Sequence, residues 1–348
     1  MLLVQLTHRD HGRLVALVDE PNLVLLSGPT SVYDLARLAL ERHVSLAAIA
    51  ESSRTADALP YDPIHAGASE WRLLPAFDHP TDPAHCLVAG TGLTHRASAD
   101  NRDRMHEAAA KGQLTDSMRM YLSGVDGGRP AAGAVGVQPE WFYKGTGANL
   151  RAHGEPLEQP AFADDAGEEP EVAAAYIIDD AGQPWRLGFA AGNEFADHVM
   201  ERKNYLYLAH SKLRECAIGP ELSLDETFTA LTGQVTIRRD GATLWTHAIQ
   251  SGEEHMAHTL ANLEHHHFKY AAHRIPGQAH IHYFGAAAFS FGAQVQLAAG
   301  DIMEVAWPAL GRPLQNALSI APDPESLIAP KSLSGAAAQR SPSLEGRG

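Results

Sequence analysis

The sequence predicts an α+β protein rich in β structure, with a small N-terminal α/β module ahead of a larger, mixed and mostly antiparallel β domain. Three observations lead there. Short Val- and Leu-rich runs bounded by polar turns outnumber the segments with helical spacing. Some of these runs are joined by hairpin-like turns, as in IRRDGATLW. Apolar residues make up 45% of the 348, enough for a full hydrophobic core.

In order, MLLVQL, RLVALV and NLVLL read as strands of a module spanning 1–84. SVYDLARLALERHVSLAAIAESS reads as one amphipathic helix, with Leu35, Leu38, Leu40 and Val44 near helical spacing and Ser31 as N-cap. PYDPIHAGASEWRLLPAFDHPTDPAH, rich in Pro, Asp and Gly, reads as a linker holding a short strand. The larger region, 85–322, opens with the strand HCLVAGTG and the helical ADNRDRMHEAAAKGQLTDSMRMYLSG. EWFYKGTGANL follows as an aromatic strand with a Gly-rich loop. EVAAAYIID, WRLGFAAG, FTALTGQVTIRRDG, TLWTHAI, HIHYFG and DIMEVAWPAL are further strands. Residues 323–348, small and polar, are expected to form a disordered tail.

Composition excludes several classes of function. A net charge of −15 repels nucleic acid and anionic membranes, so neither is an expected partner. No run approaches the ~18 uninterrupted apolar residues of a membrane span, and the start lacks the pattern of a signal peptide. Cys86 and Cys216 make neither a disulfide framework nor a zinc pattern, which suits a reducing cytoplasm. An acidic chain can still bind a small anion when a metal ion sits between them.

Two acidic stretches carry the candidate chemistry. In a strand, Glu169 and Glu171 project to one face just before the apolar run Val172 to Ile178. Their mutual repulsion would be relieved by a cation, and oxygen ligands favour Mg2+, Ca2+ or Mn2+. Exposed acidic pairs at strand starts are common, so the pair alone is a weak signal. In GNEFADHVMER, Gly192 reads as a turn and Asn193 as a helix N-cap. Glu194, His198 and Glu201 then share a helix face. An acidic first turn complementing the helix dipole explains Glu194 as readily as a metal does.

The order of motifs over roughly 85–320 resembles the fumarylacetoacetate hydrolase superfamily. GTGLTHRAS stands where that family has a Gly-Asn-Tyr turn, and EWFYKGTGANL resembles its Phe-Leu-Lys-Pro-Ser-Ser segment. EPEVAAAYII resembles its Glu-x-Glu strand, and GFAAGNEFADHV its Asn-Asp-x-Ser-Ala-Arg segment. FGAAAFSFG and LAAGDIMEVAWPALGRPLQNAL resemble its glycine-rich ending. The resemblance implies a mixed β-sandwich or roll in the larger region and a homodimer. It also implies a metal centre on Glu169, Glu171 and Glu194, holding Mg2+ or alternatively Mn2+ or Ca2+. The implied substrate is a small 2-keto acid that binds the metal through its 2-oxo and carboxylate oxygens.

Departures from the family narrow the expected reaction. The histidine with which hydrolases of the family activate water falls on or near Ser98, with His95 at an aromatic position. The family's Ser-Ala-Arg reads Ala196-Asp197-His198, and its Ala-Lys-Ser reads Ala209-His210-Ser211 with Lys212 following. If that segment is extended, His210 and Lys212 share a face. GNEFADHVMERKNYLYLAHSKLREC is similar to the subgroup that dehydrates 2-keto-3-deoxy sugar acids. The implied activity is therefore a hydro-lyase yielding 2-oxoglutarate semialdehyde from a pentonate, with Lys212, His210 and His198 as candidate base and acid. An acylpyruvate-type hydrolase and a non-catalytic sugar-acid-binding protein are the alternatives. Ser98, Arg102, Arg104, Lys144, His282 and Gly285 are candidates for contacting substrate. EEHMAHTLANLEHHHF reads as a helix with a solvated, histidine-rich polar face.

Overall fold

The computed structural model describes residues 1–96 and 115–333. The N-terminal part holds β1 (Leu2–His8), β2 (Gly12–Asp19), β3 (Asn22–Leu26), α1 (Val32–Arg42), α2 (Leu46–Ser52), β4 (Arg54–Pro60), α3 (Tyr61–His65) and β5 (Arg72–Leu73). The one long helix expected here is two. His43 adopts the left-handed conformation (φ 55°) and closes α1 through N–H bonds to the Ala39 and Leu40 carbonyls. Ser45 then opens α2 by accepting from the Ala48 N–H, so a second cap signal inside the apolar pattern decides the break. The expected linker also contains α3, because Tyr61 and Ile64 bury against the sheet.

The rest comprises β6 (Cys86–Gly90), α4 (Asp116–Gly127), β7 (Phe142–Thr146), β8 (Leu150–Arg151), β9 (Leu157–Gln159), β10 (Pro170–Ile178) and β11 (Pro184–Asn193). It continues with α5 (His198–Lys203), α6 (Leu208–Lys212), β12 (Cys216–Ile218), β13 (Leu222–Ser223), β14 (Leu231–Arg239) and β15 (Ala242–Ser251). α7 (Leu260–Phe268), β16 (Ala279–Tyr283), β17 (Ile302–Ala306) and β18 (Leu314–Ile320) complete it. One large sheet runs β4-β3-β2-β1-β13-β11-β10-β16-β6-β7, and a five-stranded sheet runs β15-β14-β17-β18-β9. The N-terminal strands thus extend the sheet of the larger region, through Leu2 opposite Ser223 and Leu3 opposite Leu222. Most pairs are antiparallel, while β6–β16, β8–β12 and β9–β18 are parallel. Asp240 (φ 51°) and Gly241 (φ 78°) form the two-residue turn of the β14–β15 hairpin.

β10 is buried on both faces, and its side chains sort by alternation. Val172, Ala174, Tyr176 and Ile178 pack with Val235, Ile237, Met303, Val305 and Leu318 of the second sheet. Ala173 and Ala175 pack instead with Leu35, Ala39 and Ile49 of α1 and α2 and with Ile281 and Tyr283. The strand-rich α+β class is the one observed. No helix among the described residues is long and apolar enough to cross a membrane.

Candidate metal and proton-transfer site

β10 and β11 form an antiparallel hairpin in which Pro170 faces Asn193 and Glu171 faces Gly192. The strand therefore runs through Gly192 and Asn193, and neither the expected turn nor the expected N-cap forms there. Gly192 is needed for packing instead, since a Cβ would lie 2.6 Å from the Tyr283 ring. Asn193 Oδ1 accepts from the Glu169 N–H at 3.2 Å, and the Glu194 N–H donates to the Glu169 carbonyl at 2.9 Å. These bonds clip the two strand ends together. Carboxylate oxygens of Glu169, Glu171 and Glu194 consequently lie within 4.8 Å of one another, all three residues buried.

Two buried lysines face this cluster. Lys212 Nζ donates to both Glu169 oxygens at 2.7 Å and to Glu194 Oε2 at 2.6 Å. Lys144 Nζ lies 2.7 Å from Glu194 Oε1 and donates to the Phe195 carbonyl at 2.7 Å. The Gly285 N–H donates to Glu171 Oε2 at 2.7 Å. Helix α5 begins only at His198, capped by Asp197 Oδ1 accepting from the Met200 N–H at 2.8 Å. His198 Nε2 lies 3.0 Å from Glu169 Oε1. Glu201, four residues behind Asp197, accepts from the Ser211 hydroxyl at 2.8 Å and sits 3.6 Å from Lys212 Nζ.

Burial and charge split the three carboxyls. Burial opposes ionisation of Glu169, but the Lys212 ammonium and His198 hold it well below the usual carboxylate range. Burial pushes Glu171 well above that range, helped by the charges of Glu194 and Glu169. Glu194 is pushed up to about 7, by burial and then by Glu169. Burial resists charge on His198, yet the hydrogen bond and charge of Glu169 raise its pKa.

Three carboxyls meet two lysines in a buried site, and a bound cation would take the place of the protons that burial pushes onto Glu171 and Glu194. Among the described residues, the buried Glu171 Oε1 has no hydrogen-bond partner. The all-oxygen donor set fits a hard divalent cation such as Mg2+, Mn2+ or Ca2+.

The remaining candidates scatter. Residues 209–212 lie in α6 rather than in an extended segment, so His210 and Lys212 stand about 200° apart around the axis. His210 is exposed and Lys212 buried. His282 lies on the Ala174 face of the sheet, opposite to Glu171 and Ala173, with its ring against His267 and Phe284. Ser98, Arg102 and Arg104 lie outside the described residues. The histidine-rich helix α7 is not simply a solvated face, because His266 and His267, like His258 ahead of it, are buried.

Sequence reasoning missed Glu168, Phe289 and Phe291 near the site. Glu168 Oε1 and Oε2 accept from the Ser290 N–H and hydroxyl at 2.6 and 2.8 Å. The alternation Phe289-Ser290-Phe291 and the run Glu168-Glu169 were the available signals. They gain meaning only once the segments meet.

No family model matches the chain, and no curated protein matches it either. Solved structures do. A 2-keto-3-deoxyarabinonate dehydratase is similar at TM-score 0.68 and 20% identity over 93% of this chain and 100% of that one. A 2-keto-3-deoxy-D-arabinonate dehydratase complexed with magnesium and 2,5-dioxopentanoate is similar at TM-score 0.66 and 19% identity over 92% and 99%. A 5-carboxymethyl-2-hydroxymuconate delta-isomerase from Mycobacterium smegmatis is similar at TM-score 0.56 and 16% identity over 93% and 100%. The chain has the fold these proteins share.

Proposed function

We propose that the protein is a divalent-metal-dependent hydro-lyase that dehydrates a 2-keto-3-deoxy sugar acid, with a pentonate as substrate and 2-oxoglutarate semialdehyde as product. The observation that carries this reading is the Lys212 amine set 2.6–2.7 Å from two members of a buried three-carboxylate cluster. That the similar dehydratase structure holds magnesium and 2,5-dioxopentanoate, the same aldehyde, supports it.

Glu169, Glu171 and Glu194 would hold the cation, which when bound supplies Lewis-acid polarisation of a 2-keto acid. Lys212 is the group for proton transfer, since its amine is buried and His210 is turned to solvent on the same short helix. Lys212 faces the carboxylates as an ammonium, so it must first release a proton; as the free amine it would then take one from C3 of the substrate. The C3–H electron pair forms the C3–C4 double bond, and the C4 hydroxyl departs with a proton as water. Moving a proton from C5 to C3 and ketonising the resulting enol gives the aldehyde. Lys144 holds Glu194 and the Phe195 carbonyl, which keeps the carboxylate facing the cluster. The Gly285 N–H does the same for Glu171. In this reading the enzyme works as a homodimer in the cytoplasm.

The test is incubation of the protein and Mg2+ with synthetic 2-keto-3-deoxypentonates. An aldehyde that a dehydrogenase oxidises to 2-oxoglutarate is the expected product. Pyruvate or another cleaved fragment as main product would replace dehydration with carbon–carbon cleavage.

A further inference from the structure

His198 is fixed on several sides. It is the first residue of α5, anchored by the Asp197 cap. Its ring stacks on Phe289 at 4.7 Å and 7°, and on Phe291 at 5.0 Å and 21°. Those two phenylalanines flank Ser290, which is held by Glu168, the residue next to Glu169. Its Nδ1 edge lies against Gly167, where a Cβ would stand 2.7 Å from Nδ1 and 2.8 Å from Cε1. Among the described residues Nδ1 itself has no hydrogen-bond partner, and Asp165 Oδ2 is 4.0 Å away.

Among the described residues the ring makes one hydrogen bond. Both Glu169 oxygens already accept from Lys212, so Nε2 is the donor in its contact with Oε1 at 3.0 Å. Lys212 donates to that same oxygen and to Oε2. Lys212 Nζ, set equally between both oxygens, leaves the carboxylate free to tilt about that point, whereas a bond from a clamped ring to one oxygen sets its angle. With Nε2 committed to Glu169 and Nδ1 turned to Gly167, neither nitrogen is presented to a substrate.

We infer that His198 is a positioning residue, fixing the direction in which Glu169 presents its carboxylate to the cation and biasing the centre toward Mg2+ over Ca2+. The inference rests on the metal reading above. The selectivity follows from coordination chemistry: Mg2+ demands near-ideal octahedral geometry, while Ca2+ accepts variable ligand number and angle. Loosening one ligand therefore harms Mg2+ more than Ca2+.

Titration calorimetry of the full chain with MgCl2 and with CaCl2 tests this. His198→Phe keeps a flat ring on Phe289 and removes the donor. Its Mg2+ affinity should weaken about 10- to 100-fold, as for other partners of ligating side chains, with a smaller loss for Ca2+. His198→Gln, which restores an N–H donor, should recover part of the Mg2+ affinity. Gly167→Ala, which pushes on the ring without touching its chemistry, should shift the Mg2+/Ca2+ ratio in the same direction as His198→Phe and answers the question if that variant does not fold. An unchanged Mg2+/Ca2+ ratio in His198→Phe or Gly167→Ala overturns the inference and leaves the metal site standing. Wild-type protein that binds neither ion overturns both readings.

Discussion

Two buried polar clusters hang from β10 and β16 on opposite faces of the sheet, and they are built on opposite principles. On one face, Glu169, Glu171 and Glu194 meet Lys212 and Lys144, unlike charges at 2.6–2.7 Å. On the other, His267, His280 and His282 meet each other and aromatic rings. Trp141 Nε1 donates to His267 Nδ1 at 3.2 Å. His267 Nε2 must then carry the proton shared with His280 Nδ1 at 3.0 Å, and His280 Nε2 donates to Gln278 Oε1 at 3.1 Å. That run works only with neutral rings. Burial drives His280 and His282 down to about 3, and His267 well below its ordinary value. Burial is common to both clusters. Only the acidic one keeps charges that a cation or a proton transfer can use.

The largest effect that would break this contrast is expected at Lys212. Lys212→Met should cut kcat about 10²–10⁴-fold, read as aldehyde formation under saturating Mg2+. Retention of nearly full turnover would move the base elsewhere.

Next in size is Glu171→Gln. In wild-type protein Mg2+ should raise the melting temperature, because it binds the folded state. The variant should lose that rise and lose Mg2+ binding by calorimetry. Without Mg2+ it should melt no lower than wild type, since the substitution removes a carboxyl that burial and two neighbouring charges already oppose. Wild-type-like Mg2+ stabilisation of the variant would remove Glu171 from the metal site.

The histidine face sharpens the comparison through pH. His280 and His282 bind protons more weakly folded (about 3) than unfolded (about 6.5). Stability is therefore full above about pH 6.5 and is lost as pH falls toward 3, by up to about 1.4 kcal/mol per pH unit for each histidine. Denaturant titrations between pH 7 and 5 should show that slope, and the double variant His280→Phe, His282→Phe should flatten it. An equally steep slope in the variant would assign the acid sensitivity to other groups.

The smallest effect is expected at His210. Its exposed ring should allow His210→Ala to change stability by less than about 0.5 kcal/mol and leave kcat/KM unaltered. A large loss of kcat/KM would bring His210 into the mechanism.

Much of the site was legible in one dimension. The spacing of Glu169 and Glu171 before an apolar run gave a shared face, and strand periodicity does put Glu171 there. The β14–β15 turn could be read from Asp240-Gly241. The stretch 192–201 could not be read correctly, because Gly-Asn-Glu has the local signature of a turn and cap, yet pairing with β10 carries the strand on to Asn193. Asp197, which also has a cap signature, takes that role instead. Sequence alone does not separate Lys212 from His210, which would share a face if their segment were extended. A five-residue helix separated them, burying one and exposing the other.

By itself, the sequence determined the strand-rich class, the acidic pair with its common face, and the residue types a hard cation requires. These depend on alternation and side-chain chemistry, which are local. The tertiary structure decided how Glu194 is brought against that pair, as the family resemblance implied, that Lys212 and Lys144 face it, and that His198 bonds to Glu169. It also decided that the other histidines form a neutral cluster behind the sheet. Each of those outcomes depends on which segments, tens of residues apart, are brought within 3 Å of one another in a buried interior, and on the pairing of β10 with β11 and β16 that brings them there.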